Sequence, residues 1–239
     1  MLAQLSSHQH LFPDPRTALP EPNGLLAVGG DLSPQRLLKA YHQGIFPWFS
    51  PEDPILWWSP DPRGVIMPHQ LHVSRSLRKF LRRCNYQCSI NKAFPEVIQA
   101  CADQRAELEG TWITGEMEHA YTQLHEMGHA HSIEVWQGDR LIGGLYGVLV
   151  GQTFCGESMF HRADNASKIA LLALREHLLA GGLRLIDCQL PSLHLNSLGA
   201  IEMPRERFLH TLALGVDRPM DPNLLVPQAI DCAFIGNSV

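Results

Sequence analysis

The chain has 239 residues, 45% of them apolar and 18% charged, with a formal net charge of −5. This describes an ordinary globular protein of one large domain, or one domain with a smaller companion. It excludes an overall basic field as the means of attracting nucleic acid, so any such partner must be met by a local patch. Six cysteines, at positions 84, 88, 101, 155, 188 and 232, form no paired CxxC motif. Cys84 and Cys88 stand four apart without the second pair that a zinc site needs. No signal peptide opens the chain and no apolar run approaches about eighteen residues, so a reduced, cytoplasmic protein with no membrane association is expected.

The N-terminal segment up to about residue 62 is rich in Pro, Gly and aromatics. Its one predicted helix is Ser33–Gln43, marked by Ser33 and Pro34. Between Trp48 and Trp58 fall three of the five tryptophans, amid Pro47, Pro51, Pro54, Pro60 and Pro62. Prolines at that density argue against a helix or a central strand there. The aromatics suit either stacking on a flat ligand or packing a small core. From residue 63 the pattern becomes regular. Helices are predicted over Ser74–Cys84, Asn91–Ala102 and Gly115–Met127. A hairpin of Ala130–Gln137 and Arg140–Leu149, turning at Gly138-Asp139, follows, with Gln152–Phe160 as third strand. Then come a helix from Asn165, as cap, to Ala180, a strand Arg184–Gln189, and a helix from Pro204 to Leu214. Helices interleaved with a meandering sheet predict α+β architecture.

Four groups of residues invite chemistry. Arg75, Arg78, Lys79, Arg82 and Arg83 share one helix face, with no acid among them, while Leu77, Phe80, Leu81 and Cys84 trace the other. Unpaired like charges favour an external polyanion, a phosphate backbone being the natural one, over a merely solvated face. His125-Glu126-Met127-Gly128-His129 has the letters of a zincin motif, which needs both histidines on one continuous helical turn. Gly128 stands where the helix should end, which assigns His125 to the helix C-terminus rather than to a metal. In the strand Arg184–Gln189, alternation puts Asp187 and Gln189 on one face and Ile186 and Cys188 on the other. This is either a site at a sheet edge or a strand end turning polar. Glu157, set among small and apolar residues, would be costly to bury unpaired. A cationic substrate or an internal partner such as Arg162 would satisfy it.

The strings GLLAVGGDLSP (24–34), AYHQGIFPWFS (40–50), ILWWSPDPRGV (55–65), EGTWIT (109–114), HAHSIEVW (129–136), GGLYGV (143–148), FCGESMF (154–160), IDCQ (186–189) and HLNSLGA (194–200) occur in this order. Together they resemble the bacterial leucyl/phenylalanyl-tRNA–protein transferase family. The resemblance implies a small N-terminal domain, residues 1–62, followed by a catalytic domain, residues 63–239, similar to the GCN5-related N-acetyltransferases, with a mostly antiparallel mixed sheet. It implies transfer of Leu or Phe from Leu-tRNA or Phe-tRNA to the N-terminus of proteins beginning with Arg or Lys, which marks them for degradation. It implies no metal and no coenzyme.

Residue by residue, the resemblance places Gln189 and Asp187 at the reacting centre. Trp48 and Trp112 would meet the terminal adenosine, with Tyr41 and Tyr121 nearby. Leu145, Phe154, Leu174 and Ile186 would line the donor side-chain pocket, Glu157 would bind an amino or basic group, and the basic cluster Arg75, Arg78, Lys79, Arg82 and Arg83 would hold the acceptor stem. On chemical grounds, an amide oxygen is far too weak a base to hold a proton. Gln189 is therefore expected to orient the attacking amine, with Asp187 fixing Gln189 and offsetting the charge that develops on nitrogen. An acetyltransferase using acyl-CoA would share the fold. It would need a Gly-rich pyrophosphate loop where this chain reads His161-Arg162-Ala163-Asp164-Asn165-Ala166-Ser167, without glycine. A non-catalytic RNA-binding module would leave Asp187, Gln189 and Glu157 without a role.

Overall fold

The computed structural model of the chain describes residues 2–6, 9–108 and 112–235, apart from the side chains of 107 and 108. Residues 109–111 of the EGTWIT string lie outside the described residues. The elements run β1 (Ala3–Leu5), β2 (Leu25–Gly29), α1 (Pro34–His42), β3 (Phe46–Pro47), β4 (Leu56–Trp58), β5 (Arg63–Ile66), α2 (Arg75–Leu81), β6 (Gln87–Ile90), α3 (Phe94–Leu108) and α4 (Gly115–Glu126). They continue with β7 (Ala130–Gln137), β8 (Arg140–Val150), β9 (Thr153–His161), α5 (Ala166–Leu179), β10 (Leu185–Gln189), α6 (Leu193–Ser197), β11 (Ile201–Met203), α7 (Arg205–Ala213) and β12 (Gln228–Ile230).

Two sheets result. The small one has the order β1-β2-β4-β3, and the large one β11-β5-β10-β9-β8-β7-β6-β12. In the large sheet only β9 and β10 run parallel; the other neighbours are antiparallel. This is the α+β class with a mostly antiparallel mixed sheet. One face of the large sheet packs against α3 and α4 and shares its core with α1, Trp57 and α7; the other face packs against α2 and α5. Among the described residues no helix is long and apolar enough to cross a membrane.

The 45–60 segment departs from its expectation. β4 sits between β2 and β3 in the small sheet, so a central strand does form there. It is only three residues long, lies between Pro54 and Pro60, and contains no proline. Trp57 is fully buried and donates its Nε1–H to Gly29 O at 2.9 Å. The first β6-to-α3 residues also differ. Asn91 takes a left-handed φ of 58°, and the helix begins at Phe94 rather than at Asn91. The buried carboxylate of Glu134 accepts from the backbone N–H groups of Lys92 and Ala93 at 3.3 and 3.4 Å, on the positive end of α3. In α2 Ser74 is the N-cap rather than the first helical residue, its hydroxyl accepting from Leu77 N–H at 3.2 Å, and the helix ends at Leu81, three residues short of Cys84.

Candidate active site

β9 and β10 pair only from Leu185↔Thr153 to Asp187↔Cys155, although β9 runs on to His161. Where they part, a cavity of about 1020 Å³ opens. Each strand carries a bulge at this point. On β9 the register passes from Tyr146↔Ser158 to Gly147↔Gly156, leaving Glu157 as the extra residue. On β10 it passes from Asp187↔Val65 to Gln189↔Gly64, leaving out Cys188. Bulges re-aim side chains that strict alternation would point elsewhere.

This overturns the alternation expected of β10. Ile186 and Cys188 line the cavity, Asp187 points away from it, and Gln189, at a left-handed φ of 64°, turns back onto the cavity wall. Asp187 is 1% exposed and bonds bidentately to Arg63, Nε to Oδ1 at 2.8 Å and Nη2 to Oδ2 at 2.7 Å. Arg63 also donates to Gly44 O at 3.1 Å and lies between the rings of Phe46 and Phe208, 4.8 and 4.5 Å from their centroids. Asp187 Oδ1 accepts the backbone N–H of Gln189 at 2.9 Å. The carboxylate therefore holds the unusual backbone of Gln189, while its charge is neutralised by Arg63. Nothing in the sequence pointed to Arg63: β5 is four residues long and β11 three, and neither announced itself as a strand.

Gln189 Nε2 donates to Glu157 Oε1 at 2.7 Å, and Tyr121 Oη donates to Glu157 Oε2 at 3.0 Å. Tyr41 and Tyr121 share a hydrogen bond between their hydroxyls. Both tyrosines are buried behind the wall rather than on it. Arg162 is not the partner of Glu157; its guanidinium lies 5.3 Å from the Phe160 ring centroid. Among the described residues Glu157 forms no ion pair. Burial is the main cause that pushes its carboxyl up to about 7, with the nearby Asp187 charge adding to it and the Tyr41, Tyr121 and Gln189 hydrogen bonds opposing. Such a group holds or releases a proton near neutrality.

The remaining expected residues divide as follows. Trp48, 41% exposed, and Trp112 line the cavity, as do Leu145, Phe154, Leu174 and Ile186. Trp58 braces Trp48 through an Nε1–H donated to Trp48 O at 2.6 Å. Arg105, which the sequence did not single out, also lines the cavity. Its Nε donates to Ser158 Oγ at 2.9 Å, and its guanidinium stands 5.8 Å from the Trp112 ring. Arg75, Arg78, Lys79, Arg82 and Arg83 are all exposed, and among the described residues none of them forms an ion pair. They lie outside the cavity wall. The zincin-like letters end a helix: α4 stops at Glu126, Gly128 has φ 79°, and His125 Nδ1 bonds to Ala130 O at 2.9 Å while its ring stacks on Phe94.

Comparison with known sequences shows the family. Residues 65–213 match the family model described as leucyl/phenylalanyl-tRNA protein transferase, and residues 30–61 match that of its N-terminal domain. A leucyl/phenylalanyl-tRNA–protein transferase of Pectobacterium carotovorum is 58% identical over 229 residues, covering 96% of this chain and 97% of the relative. Those of Yersinia enterocolitica and Shewanella baltica are each 56% identical, covering 96% and 92% of this chain and 97% and 93% of theirs. The chain belongs to the leucyl/phenylalanyl-tRNA–protein transferase family. Solved structures align more loosely. L-PGS from Bacillus licheniformis has a TM-score of 0.40 at 8% identity, over 62% of this chain and 48% of that one, so the assignment rests on sequence.

Proposed function

We propose that this chain moves leucine or phenylalanine from Leu-tRNA or Phe-tRNA to the N-terminal amino group of proteins that begin with Arg or Lys, feeding bacterial N-degron degradation in the cytoplasm. The observation that carries the reading is the buried Glu157 carboxyl joined to Gln189 at 2.7 Å on the wall of a large, mainly apolar cavity. The division of labour follows the domain boundary proposed at residues 62 and 63. The first part supplies Trp48, and the second supplies Trp112, Glu157 and Gln189. The terminal adenosine lies against the two tryptophans, and Leu145, Phe154, Leu174 and Ile186 enclose the donor side chain. An apolar pocket takes Leu and Phe alike, because hydrophobic size differences are worth only about 1–3 kcal/mol.

The reaction is aminolysis of an ester. The amine nitrogen attacks the carbonyl carbon, a C–N bond forms, and the C–O bond to the ribose breaks. One proton leaves nitrogen and one reaches the ribose oxygen, so the exchange needs a temporary proton holder but neither metal nor coenzyme. Glu157 binds the incoming ammonium, which gives one proton to solvent to become the free amine; on attack Glu157 takes the second proton from nitrogen and returns it to the ribose oxygen. Gln189, whose Nε2 is committed to Glu157, offers its Oε1 to the attacking amine. Asp187 acts as a positioning residue through the Gln189 backbone; the charge developing on nitrogen is offset by Glu157. Tyr41 and Tyr121 hold the Glu157 carboxyl from behind. A second carboxylate on the cavity rim, Asp53, adds to the preference for basic acceptors. The Arg75–Arg83 face binds the acceptor stem through phosphate neutralisation.

A transfer assay with labelled Leu-tRNA and Phe-tRNA, and with peptides beginning with Arg, Lys or Ala, tests the proposal. Label should move to the Arg and Lys peptides and not to the Ala peptide. No transfer, with acetyl-CoA yielding an acetylated product instead, would overturn it.

A further inference from the structure

Beside the large cavity lies a smaller one of about 420 Å³, lined by His161, Asp164, Asn165, Ser167, Lys168 and His194. His194 lines both, so the two adjoin. α5 joins them as well: Ser167 faces the small cavity, while Leu171 and Leu174, four and seven residues on, face the large one. The N-terminus of α5 is seated closely on the sheet. A Cβ at Gly143 would stand 2.5 Å from that of Ala166.

This helix end is uncapped. Asn165, expected as its cap, has a left-handed φ of 62° and makes no side-chain cap bond; its Oδ1 accepts from Lys168 Nζ at 3.4 Å. The backbone N–H groups of Ser167 and Lys168 find no acceptor among the described residues. Ser167 is only 7% exposed, and its hydroxyl, which faces the cavity, also has no hydrogen-bond partner among the described residues. The hydroxyl oxygen itself is open to the cavity, where a ligand can bond to it. Three basic side chains converge on the same space. Beyond the effect of burial, Lys168 and His161 repel a proton on His194 and hold it below the usual imidazole range. Among the described residues Asp164 is the one carboxylate on the wall. Two free N–H groups, a hydroxyl, an ammonium and two imidazoles make a donor-rich lining suited to a multi-oxygen anion.

We propose that this cavity holds the phosphate linking the terminal adenosine of the tRNA acceptor end to the nucleotide before it. The inference rests on the aminoacyl-tRNA reading of the large cavity and adds a second anchor to it. With the donor side chain between Leu145 and Leu174 and the adenine against the tryptophans, the phosphate on the far side of the ribose reaches His194, Lys168 and Ser167. Coenzyme pyrophosphate offers the same chemistry, so the test includes it.

The probe is a hydrolysis-resistant donor mimic, phenylalanine joined by an amide to 3′-aminoadenosine, alone or extended at its 5′ side by a cytidylyl phosphate. Calorimetry would compare the two on the wild-type protein, Lys168→Ala and His161→Ala, with coenzyme A as a separate ligand. The extension should tighten wild-type binding about tenfold. Lys168→Ala should abolish that gain and His161→Ala reduce it, while both variants bind the unextended mimic as the wild type does. A neutral methylphosphonate linkage should also lose the gain. An equal gain in all three proteins, or one that survives the methylphosphonate, overturns the inference. So does Lys168-dependent binding of coenzyme A without any gain from the extension. Failure of the wild type to bind the unextended mimic would instead strike down the aminoacyl-tRNA reading, and this inference with it.

Discussion

A carboxyl group with a pKa of about 7, facing an amine whose own pKa lies near about 8, can exchange a proton with it at little cost in either direction. That matching is what a proton holder in aminolysis requires. It follows from burial without a cationic partner, and it carries a stability consequence. Because the folded value lies above the unfolded 4.5, the folded protein binds this proton more tightly. The stabilisation is full below the unfolded 4.5 and is lost as the pH rises through about 7, a difference of about 3 kcal/mol. Glu157→Gln removes the titration, so its urea unfolding free energy should vary less than that of the wild type between about pH 5 and pH 8. Asp187 differs because Arg63 answers its charge. Asp187→Ala, which strands the buried guanidinium, should cost about 3–5 kcal/mol in urea unfolding. Asp187→Asn keeps one acceptor for the Gln189 N–H, so its rate should fall by less than that of Glu157→Gln. An equal or larger loss would return the charge role to Asp187.

At the scale of elements, two bulges on adjacent strands decide which side chains face the cavity. Neither is visible in a sequence, because alternation is the only signal a short strand gives. The Asp187/Gln189 pairing therefore read as one face, and the residue that separates them, Arg63 on β5, went unnoticed. Gly64 guards this arrangement. It pairs with Gln189, and a Cβ there would stand 2.8 Å from the Leu190 carbonyl and 2.9 Å from Pro191 N. Gly64→Ala should push the Gln189–Pro191 turn out of place, costing about 1–3 kcal/mol in unfolding and lowering kcat more than it raises KM. The exposure of the five cations was legible from their spacing, although α2 itself ends at Leu81, and Arg82 and Arg83 continue past it. Reversing Arg78 and Arg82 to Glu should weaken tRNA binding and flatten its dependence on salt, with thermal stability nearly unchanged. Filter binding at several salt concentrations would measure this.

For the molecule as a whole, the long elements and the family strings could be read directly. The hairpin at Gly138 and the end of α4 just before Gly128 both follow from local chemistry. What could not be read depends on long-range pairing. Short strands such as β5, β11 and β12 acquire their identity only by joining a sheet, and Tyr41 meets Tyr121 across eighty residues of sequence. The tryptophans divide between the two roles open to them, Trp57 in the core and Trp48 on the cavity wall. The central claim is that ester-to-amide exchange runs on the Glu157–Gln189 wall, with Glu157 holding the proton. Its most direct test is the single-turnover rate of transfer from Phe-tRNA to an Arg-peptide, as a function of pH, for the wild type and Glu157→Gln. The account predicts a wild-type rate that rises through about pH 7, and a variant slowed about a hundredfold or more that lacks this rise. A Glu157→Gln enzyme with the wild-type rate and the same rise would contradict it.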